Sequence, residues 1–342
     1  MATMRAARAN FSGEKPELSI QDVEVPTPGA GEVLVKVKSA GVCLSDVHIL
    51  SGDLKPPYLD GDEVTLGHEI AGVIDSVGEG VDSDREGERI VVRGGYRDDK
   101  GRTITQGVDY DGGWAEYTVI PAECAIQIPD TIDFDVACII PDAVSTPWSA
   151  VFHTAEAKPG QAVGVWGVGG LGVHAVKLLR VLGVAPIIAI DPAETPRKRA
   201  EEYGADYVLD SSAEDFDEQI DMITDGKGLD LAFDFAGVPP VRKQALGVLG
   251  RKGRLIIVGI AGKPIEIPDD MTFQLNRQEV VGHYGSVGSA MQELVDLIGY
   301  KRADFSDSIT ATLPLSEAKQ AVHNLENKVG DPIRIVLHPE DD

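Results

Sequence analysis

Only three cysteines, Cys43, Cys124 and Cys138, occur in 342 residues. An odd and small number excludes a disulfide framework, so each thiol is free, buried or metal-bound. A reducing compartment fits, and the expected location is cytoplasmic. Long apolar runs are also missing. No stretch approaches the roughly 18 apolar residues of a membrane helix, and the opening Met1-Ala-Thr-Met-Arg lacks the apolar core of a signal peptide. No membrane partner is expected. Positive charge is scarce, with 31 Lys and Arg against 56 Asp and Glu and a net charge of -25. Such a field repels phosphate backbones, which excludes a nucleic-acid partner. The acids are scattered along the chain rather than gathered in a tail, which reads as a solvated acidic surface. Concentrated salt screens such self-repulsion, and the expectation is a salt-adapted source. Internal repeats and low-complexity segments are absent.

What is present is enough for two cores. The chain exceeds the roughly 250–300 residues at which single cores stop growing, and 43% of it is hydrophobic. The first part reads as β-rich: 18–25, 32–38, 70–77, 89–93 and 114–120 are strand-like runs separated by Pro and Gly. The middle alternates buried strands with amphipathic helices. Strands are expected at 162–167, 186–191, 229–235, 253–259 and 279–284. A helix follows the first of them at 171–182, and Thr195-Pro196 reads as the cap and first position of another. That alternation is the sequence form of a doubly wound parallel sheet. After Ser286 the chain gives helices at 290–298 and 316–327 and a closing strand at 332–337. The architecture expected is α/β, with a β-rich domain (1–145 and 286–342) interrupted by an inserted Rossmann domain (146–285).

Gly167-Val168-Gly169-Gly170-Leu171-Gly172 fits G-x-G-x-x-G. The spacing alone is weak in a chain with 38 glycines, but here a strand precedes it and a helix follows. Gly167 permits the tight turn, Gly169 lets backbone approach a pyrophosphate, and Gly172 lets the helix pack close to the strand. Asp191 ends the next strand, about 20 residues on, where an acid binds ribose hydroxyls. A carboxylate there repels a 2′-phosphate, so the expected cofactor is NAD. Arg197 and Lys198 leave room for some NADP use.

Three residues from distant parts of the chain offer metal-binding chemistry. Cys43, His68 and Asp142 supply a thiolate, an imidazole and a carboxylate, and a catalytic zinc needs three such ligands and one open position. Each also has a plain structural reading. A lone cysteine is usually a small buried hydrophobe, a lone histidine is usually hydrogen-bonded structure, and Asp142 is a fair cap for a helix starting near Ser145.

At these residues the chain resembles the zinc-dependent medium-chain alcohol dehydrogenase family. The likeness runs essentially end to end and rests on Gly41-Val42-Cys43-x-Ser45-Asp46-x-His48, the Gly67-His68-Glu69 triplet and the Gly167–Gly172 turn. It implies a GroES-like catalytic domain around the Rossmann insert. It also implies one catalytic zinc on Cys43, His68 and Asp142, with Cys138 as a rival third ligand. Asp142 departs from the Cys₂His set of alcohol dehydrogenase. Glu69 is expected beside the metal in support, with a direct or transient ligand role as the alternative, and Asp46 as the carboxylate that orients His68. Ser45 resembles the hydroxyl that takes the alcohol proton, and His48 the outer end of a proton relay. Thr146 resembles the residue packed on the nicotinamide. The cofactor contacts implied are Gly167, Gly169, Gly170, Leu171, Gly172, Asp191, Arg197, Thr146 and Gly259. Trp148 and Leu59 are candidates for the substrate pocket, with core packing as the alternative. The family's structural zinc needs four cysteines in the lobe 93–113, which has none, so no structural zinc is expected.

The implied reaction is reversible oxidation of a primary or secondary alcohol to an aldehyde or ketone by NAD. Alternatives are a polyol, glucose or threonine dehydrogenase using the same site, a zinc-free quinone or enone reductase, and a non-catalytic NAD-binding module. The loops 54–62 and 283–288 carry no readable substrate code. A homo-oligomer, tetramer or dimer, is expected.

Overall fold

The computed structural model describes residues 2–341. The chain divides into two compact units, Met1–Asp142 with Met291–Asp342, and Ala143–Ala290. The divisions thus fall after Asp142 and after Ala290 rather than at 145 and 285. No helix among the described residues is long and apolar enough to cross a membrane.

The first unit is built mainly on antiparallel strands, with Ile309–Pro314 and Arg334–His338 paired in parallel. Glu17–Glu24, Thr3–Asn10 and Glu63–Thr65 form a three-stranded sheet. A larger sheet runs Ala125–Gln127, Arg89–Val92, Ile70–Val77, Glu32–Val42, Arg334–His338, Ile309–Pro314, and Tyr117–Pro121 pairs with the first half of Glu32–Val42. Alternation along Glu32–Val42 turns Val33, Val35 and Val37 into a core with Ile70, Ile74, Ile90, Trp114 and Leu337. That strand extends to Val42, beyond the expected 38, because Arg334–His338 pairs with its second half. The hairpin Gly95–Arg97 and Thr103–Thr105 fills the lobe after Arg93. Asp109 pins it by accepting from the backbone N–H of Thr105 at 2.9 Å and of Tyr58 at 3.1 Å.

The second unit is a six-stranded parallel sheet. Its order is Tyr207–Leu209, Ile187–Ile190, Val163–Trp166, Leu229–Asp234, Leu249–Ile257, Glu279–Gly282. Counting strands from Val163–Trp166 gives 3-2-1-4-5-6, the doubly wound dinucleotide order. The inner strands Val163–Trp166 and Ile187–Ile190 are continuous apolar runs, buried at every position, because both faces are covered. Gly172–Val181 follows the glycine turn as a helix.

Thr195 is not a helix cap. The helix begins at Glu194, because the Asp191 carboxylate accepts from the Ala193 N–H at 2.9 Å and turns the chain two residues earlier. Pro196 is tolerated because it lies within the first turn.

Candidate metal centre and dinucleotide turn

The strand Glu32–Val42 delivers Cys43 to the start of the helix Leu44–Ser51. Asp46, on the first turn of that helix, accepts from the Cys43 N–H at 2.9 Å. His68 precedes the strand Ile70–Val77, which lies beside Glu32–Val42. Asp142 stands on a wide π-type turn, Ile140–Val144, that follows the helix Phe134–Cys138. The helix Ser145–Trp148 has no side-chain cap, so the capping reading of Asp142 falls. Single π turns are frequent at functional sites.

These segments bring Cys43, His68, Glu69 and Asp142 together, with one donor atom from each inside 4.8 Å of the others. Cys43 Sγ is 3.2 Å from Asp142 Oδ2, and His68 Nε2 is 3.8 Å from the same oxygen. The other imidazole nitrogen, Nδ1, lies 3.6 Å from Asp46 Oδ1. Cys43, His68 and Glu69 are buried, and Asp142 is partly open. Cys138 is outside the cluster, its Sγ donating to the Asp135 carbonyl at 3.1 Å.

A divalent cation fits this donor set. Thiolate, imidazole and carboxylate are zinc-type ligands. Several buried atoms here are not hydrogen-bonded: His68 Nδ1 and Asp46 Oδ1 face each other at 3.6 Å, Glu69 Oε1 faces Arg334 Nη1 at 3.4 Å, and Glu69 Oε2 is left over, a costly arrangement unless further charge is supplied. Burial, then Asp142, pushes the Cys43 thiol up. Burial opposes protonation of His68, but Asp46 and Asp142 outweigh it and hold the imidazole well above its usual value. Burial pushes Glu69 up to about 7, against the pull of Arg334.

Arg334 went unnoticed in the sequence. It is buried, and its Nη1 lies 3.4 Å from Glu69 Oε1. The available signal was a lone cation inside the apolar run of an expected strand. Ser45 is half-buried, with its Oγ 3.6 Å from Cys43 Sγ. His48 is exposed, 3.9 Å from Asp53. Leu59 packs on the core of the first unit.

In the second unit the glycine turn links the strand Val163–Trp166 to the helix Gly172–Val181. Gly167 has φ +79°, and a Cβ there would meet Ala236 N at 2.7 Å. Gly169 faces open space and is exposed, and Gly170 and Leu171 complete the turn into the helix. A Cβ at Gly172 would overlap the Gly167 carbonyl. The turn is therefore a bare backbone cradle at a helix N-terminus, the form that takes a pyrophosphate. Asp191 Oδ2 accepts from the Val168 N–H at 3.2 Å, which fixes its carboxylate behind the turn. Arg197 donates to the Asp191 carbonyl at 2.6 Å and pairs with Asp210 at 3.2 Å. Gly259 accepts from Arg242 at 2.8 Å, and the same Arg242 holds buried Asp234 at 2.8 Å. Thr146 is buried, and Trp148 stacks on Phe152 with centroids 4.6 Å apart.

One chain that carries both a β-rich unit with a thiol–imidazole–carboxylate cluster and a doubly wound unit with a glycine turn defines a metal-dependent, dinucleotide-linked oxidoreductase. The family model for zinc-binding dehydrogenases matches residues 170–299, and that for the alcohol dehydrogenase GroES-like domain matches 29–130. An NAD-dependent alcohol dehydrogenase of Sulfurisphaera tokodaii is 30% identical over 95% of this chain and 97% of its own. The (R,R)-butanediol dehydrogenase of Bacillus subtilis is 30% identical over 98% and 100%. Among solved structures, an alcohol dehydrogenase of Escherichia coli CFT073 complexed with NADH superposes with a TM-score of 0.89 at 27% identity, covering 99% of this chain and 100% of that one. The chain belongs to the zinc-dependent medium-chain alcohol dehydrogenase family.

Proposed function

We propose that this enzyme oxidises a primary or secondary alcohol reversibly to an aldehyde or ketone, with NAD as acceptor and one catalytic zinc on Cys43, His68 and Asp142. The observation that carries the reading is the buried convergence of those three donors with Glu69. The same cluster argues against a zinc-free quinone or enone reductase, which has no use for it. When bound, the metal supplies Lewis acidity and lowers the pKa of the substrate hydroxyl. The nicotinamide supplies the hydride chemistry, and the protein orients it.

The protein's own groups then have the following roles. Asp46 holds the Cys43 backbone and faces His68 Nδ1, which leaves Nε2 for the metal. Ser45 Oγ, close to Cys43 Sγ, takes the hydroxyl proton, and exposed His48 on the same helix passes it to solvent. Glu69, paired with Arg334, sets the charge of the site from beneath. The turn Gly167–Gly172 takes the pyrophosphate and Asp191 the adenosine ribose. With Arg197 already committed to Asp210, the balance favours NAD. Thr146 and Gly259 are assigned to the nicotinamide end of the same cofactor.

The cytoplasm is the proposed compartment, since Cys43 must stay reduced to ligate a metal. A homo-oligomer, dimer or tetramer, is proposed as the assembly and is checked by light scattering. Salt adaptation is proposed from the net charge of -25, and stability that rises with KCl would support it.

The test is a panel of primary, secondary and polyhydroxy alcohols with NAD and NADP in high salt, with zinc quantified. Cys43→Ala or His68→Ala should abolish turnover while NADH binding stays nearly intact. Turnover retained by metal-free protein would overturn the reading. A clear preference for polyols or L-threonine would keep the site and change the substrate.

A further inference from the structure

The strand that leads to Cys43 also carries a second polar cluster that the reaction does not use. Ser39 and Gly41 alternate along the strand Glu32–Val42 and share a face, and Cys43 follows that strand as the cap of the helix Leu44–Ser51. Arg334, Val336 and His338 alternate in the same way on the neighbouring strand, where Val336 pairs with Gly41. The pairing runs from Ile335 with Val42 to Leu337 with Ala40, so Arg334 and His338 stand just beyond it at opposite ends. Arg334 is therefore at the metal end of the ladder, against Glu69. His338 is at the other end.

At the His338 end the helix Phe134–Cys138 supplies Asp135. Asp135 Oδ1 accepts from Ser39 Oγ at 2.5 Å and lies 2.7 Å from His338 Nε2. The second ring nitrogen of His338 is 3.1 Å from Asp341 Oδ2. Ser39 is buried, and Asp135 is half-buried. One carboxylate thus joins three segments, and each leads directly to the metal centre. Ser39 is four residues before Cys43, and Asp135 is seven residues before Asp142. His338 shares its strand with Arg334, which faces Glu69.

We propose that Asp135, bonded to Ser39 and His338, is a positioning residue for the metal centre. It stops the helix before Asp142 from sliding over the two strands, and so fixes the spacing of the Cys43 and Asp142 donor atoms. The bonds suit this task because one carboxylate oxygen accepts from both neighbours at once and so ties the helix to both strands. The proposal rests on the reading of Cys43 and Asp142 as ligands.

The experiment follows zinc loss to a chromophoric chelator and the visible spectrum of the cobalt-substituted enzyme. Asp135→Ala should release metal about tenfold faster, at the low end of the roughly 10–100-fold seen when groups supporting ligands are removed. Ser39→Ala and His338→Gln, which each remove one bond, should shift the rate in the same direction by less, and Asp135→Asn should recover part of the loss. Lys38→Ala is the control. It breaks the Lys38–Glu340 pair on the same strand and should lower Tm while leaving the metal rate within about twofold of wild type. Folded Ser39→Ala and His338→Gln proteins with the wild-type release rate and cobalt spectrum would overturn the proposal, even if Asp135→Ala does not fold. Release rates that merely follow Tm, Lys38→Ala included, would do the same. Cys43→Ala separates the two readings: if it keeps its metal, the ligand assignment fails whatever Asp135 does.

Discussion

Glu69 Oε1 lies 3.4 Å from Arg334 Nη1, and both side chains are shut off from solvent. Burial pushes the Glu69 carboxyl up to about 7, and Arg334 opposes the shift. Removing one partner of a buried pair strands the other charge and costs about 3–5 kcal/mol. Arg334→Met should cost that much in metal-free protein. The pH dependence has a definite sign. The folded pKa of Glu69 is above its ordinary 4.5, so its contribution is fully present below that value and is lost as pH rises toward 7. Loss of Arg334 raises the folded pKa further. Urea unfolding should therefore show a larger deficit for Arg334→Met at pH 8 than at pH 5.5, and an equal deficit at both would contradict the pairing.

Gly41 lies beneath the same carboxylate. A Cβ there would overlap Glu69 Oε2 and stand 2.9 Å from Glu69 Cβ. Gly41→Ala should cost about 1–3 kcal/mol, the usual range for forcing atoms into a packed site. Thermal unfolding of metal-free protein checks this, and an unchanged Tm would show that Glu69 moves aside freely.

How much of this was legible in the sequence depended on whether the determinant was local. The Rossmann sheet was readable because strands covered on both faces are unbroken apolar runs, as in Val163–Trp166 and Ile187–Ile190. Thr3–Asn10 was not, because its sequence TMRAARAN has no β-type pattern, and the strand exists by pairing with Glu17–Glu24 on one side and Glu63–Thr65 on the other. The helix Leu44–Ser51 was hidden inside a stretch read for its ligands. The residue types at Cys43, His68 and Asp142 suggested a metal, but their convergence is produced by strand pairing and a π turn that no local pattern announces. Arg334, Asp135 and His338 stayed invisible for the same reason, since each matters through a residue far away in the chain.

Metal binding should release about two protons per zinc at pH 7, because ligands bind deprotonated. Burial, then Asp142, raises the Cys43 thiol. His68 is lowered by burial but held well up by Asp46 and Asp142. Metal-free protein therefore enters the reaction as a thiol and an imidazolium. Each proton released steepens the pH dependence, so affinity should climb by about a hundredfold per pH unit near neutrality. Calorimetry in buffers of different ionisation enthalpy counts the protons, and a count of one or none would remove a residue from the ligand set.

Asp191 should decide between the two nicotinamide cofactors. Its carboxylate is anchored by the N–H groups of Val168 and Ala193 at 3.2 and 2.9 Å. The nearby cation is no counterweight, since Arg197 is spent on the Asp191 carbonyl and on Asp210. A 2′-phosphate would face an uncompensated carboxylate, whereas two ribose hydroxyls would find an acceptor. Hydrogen bonds to charged groups contribute about 1.5–3 kcal/mol, so Asp191→Ser should weaken NADH binding by roughly ten- to a hundredfold. It should weaken NADPH binding much less, or improve it. Adding Asp210→Ser frees Arg197 and should move the preference further toward NADPH. Fluorescence titration of both cofactors against the single and double variants measures the shift. A ratio of affinities that does not move would place the adenosine ribose away from Asp191.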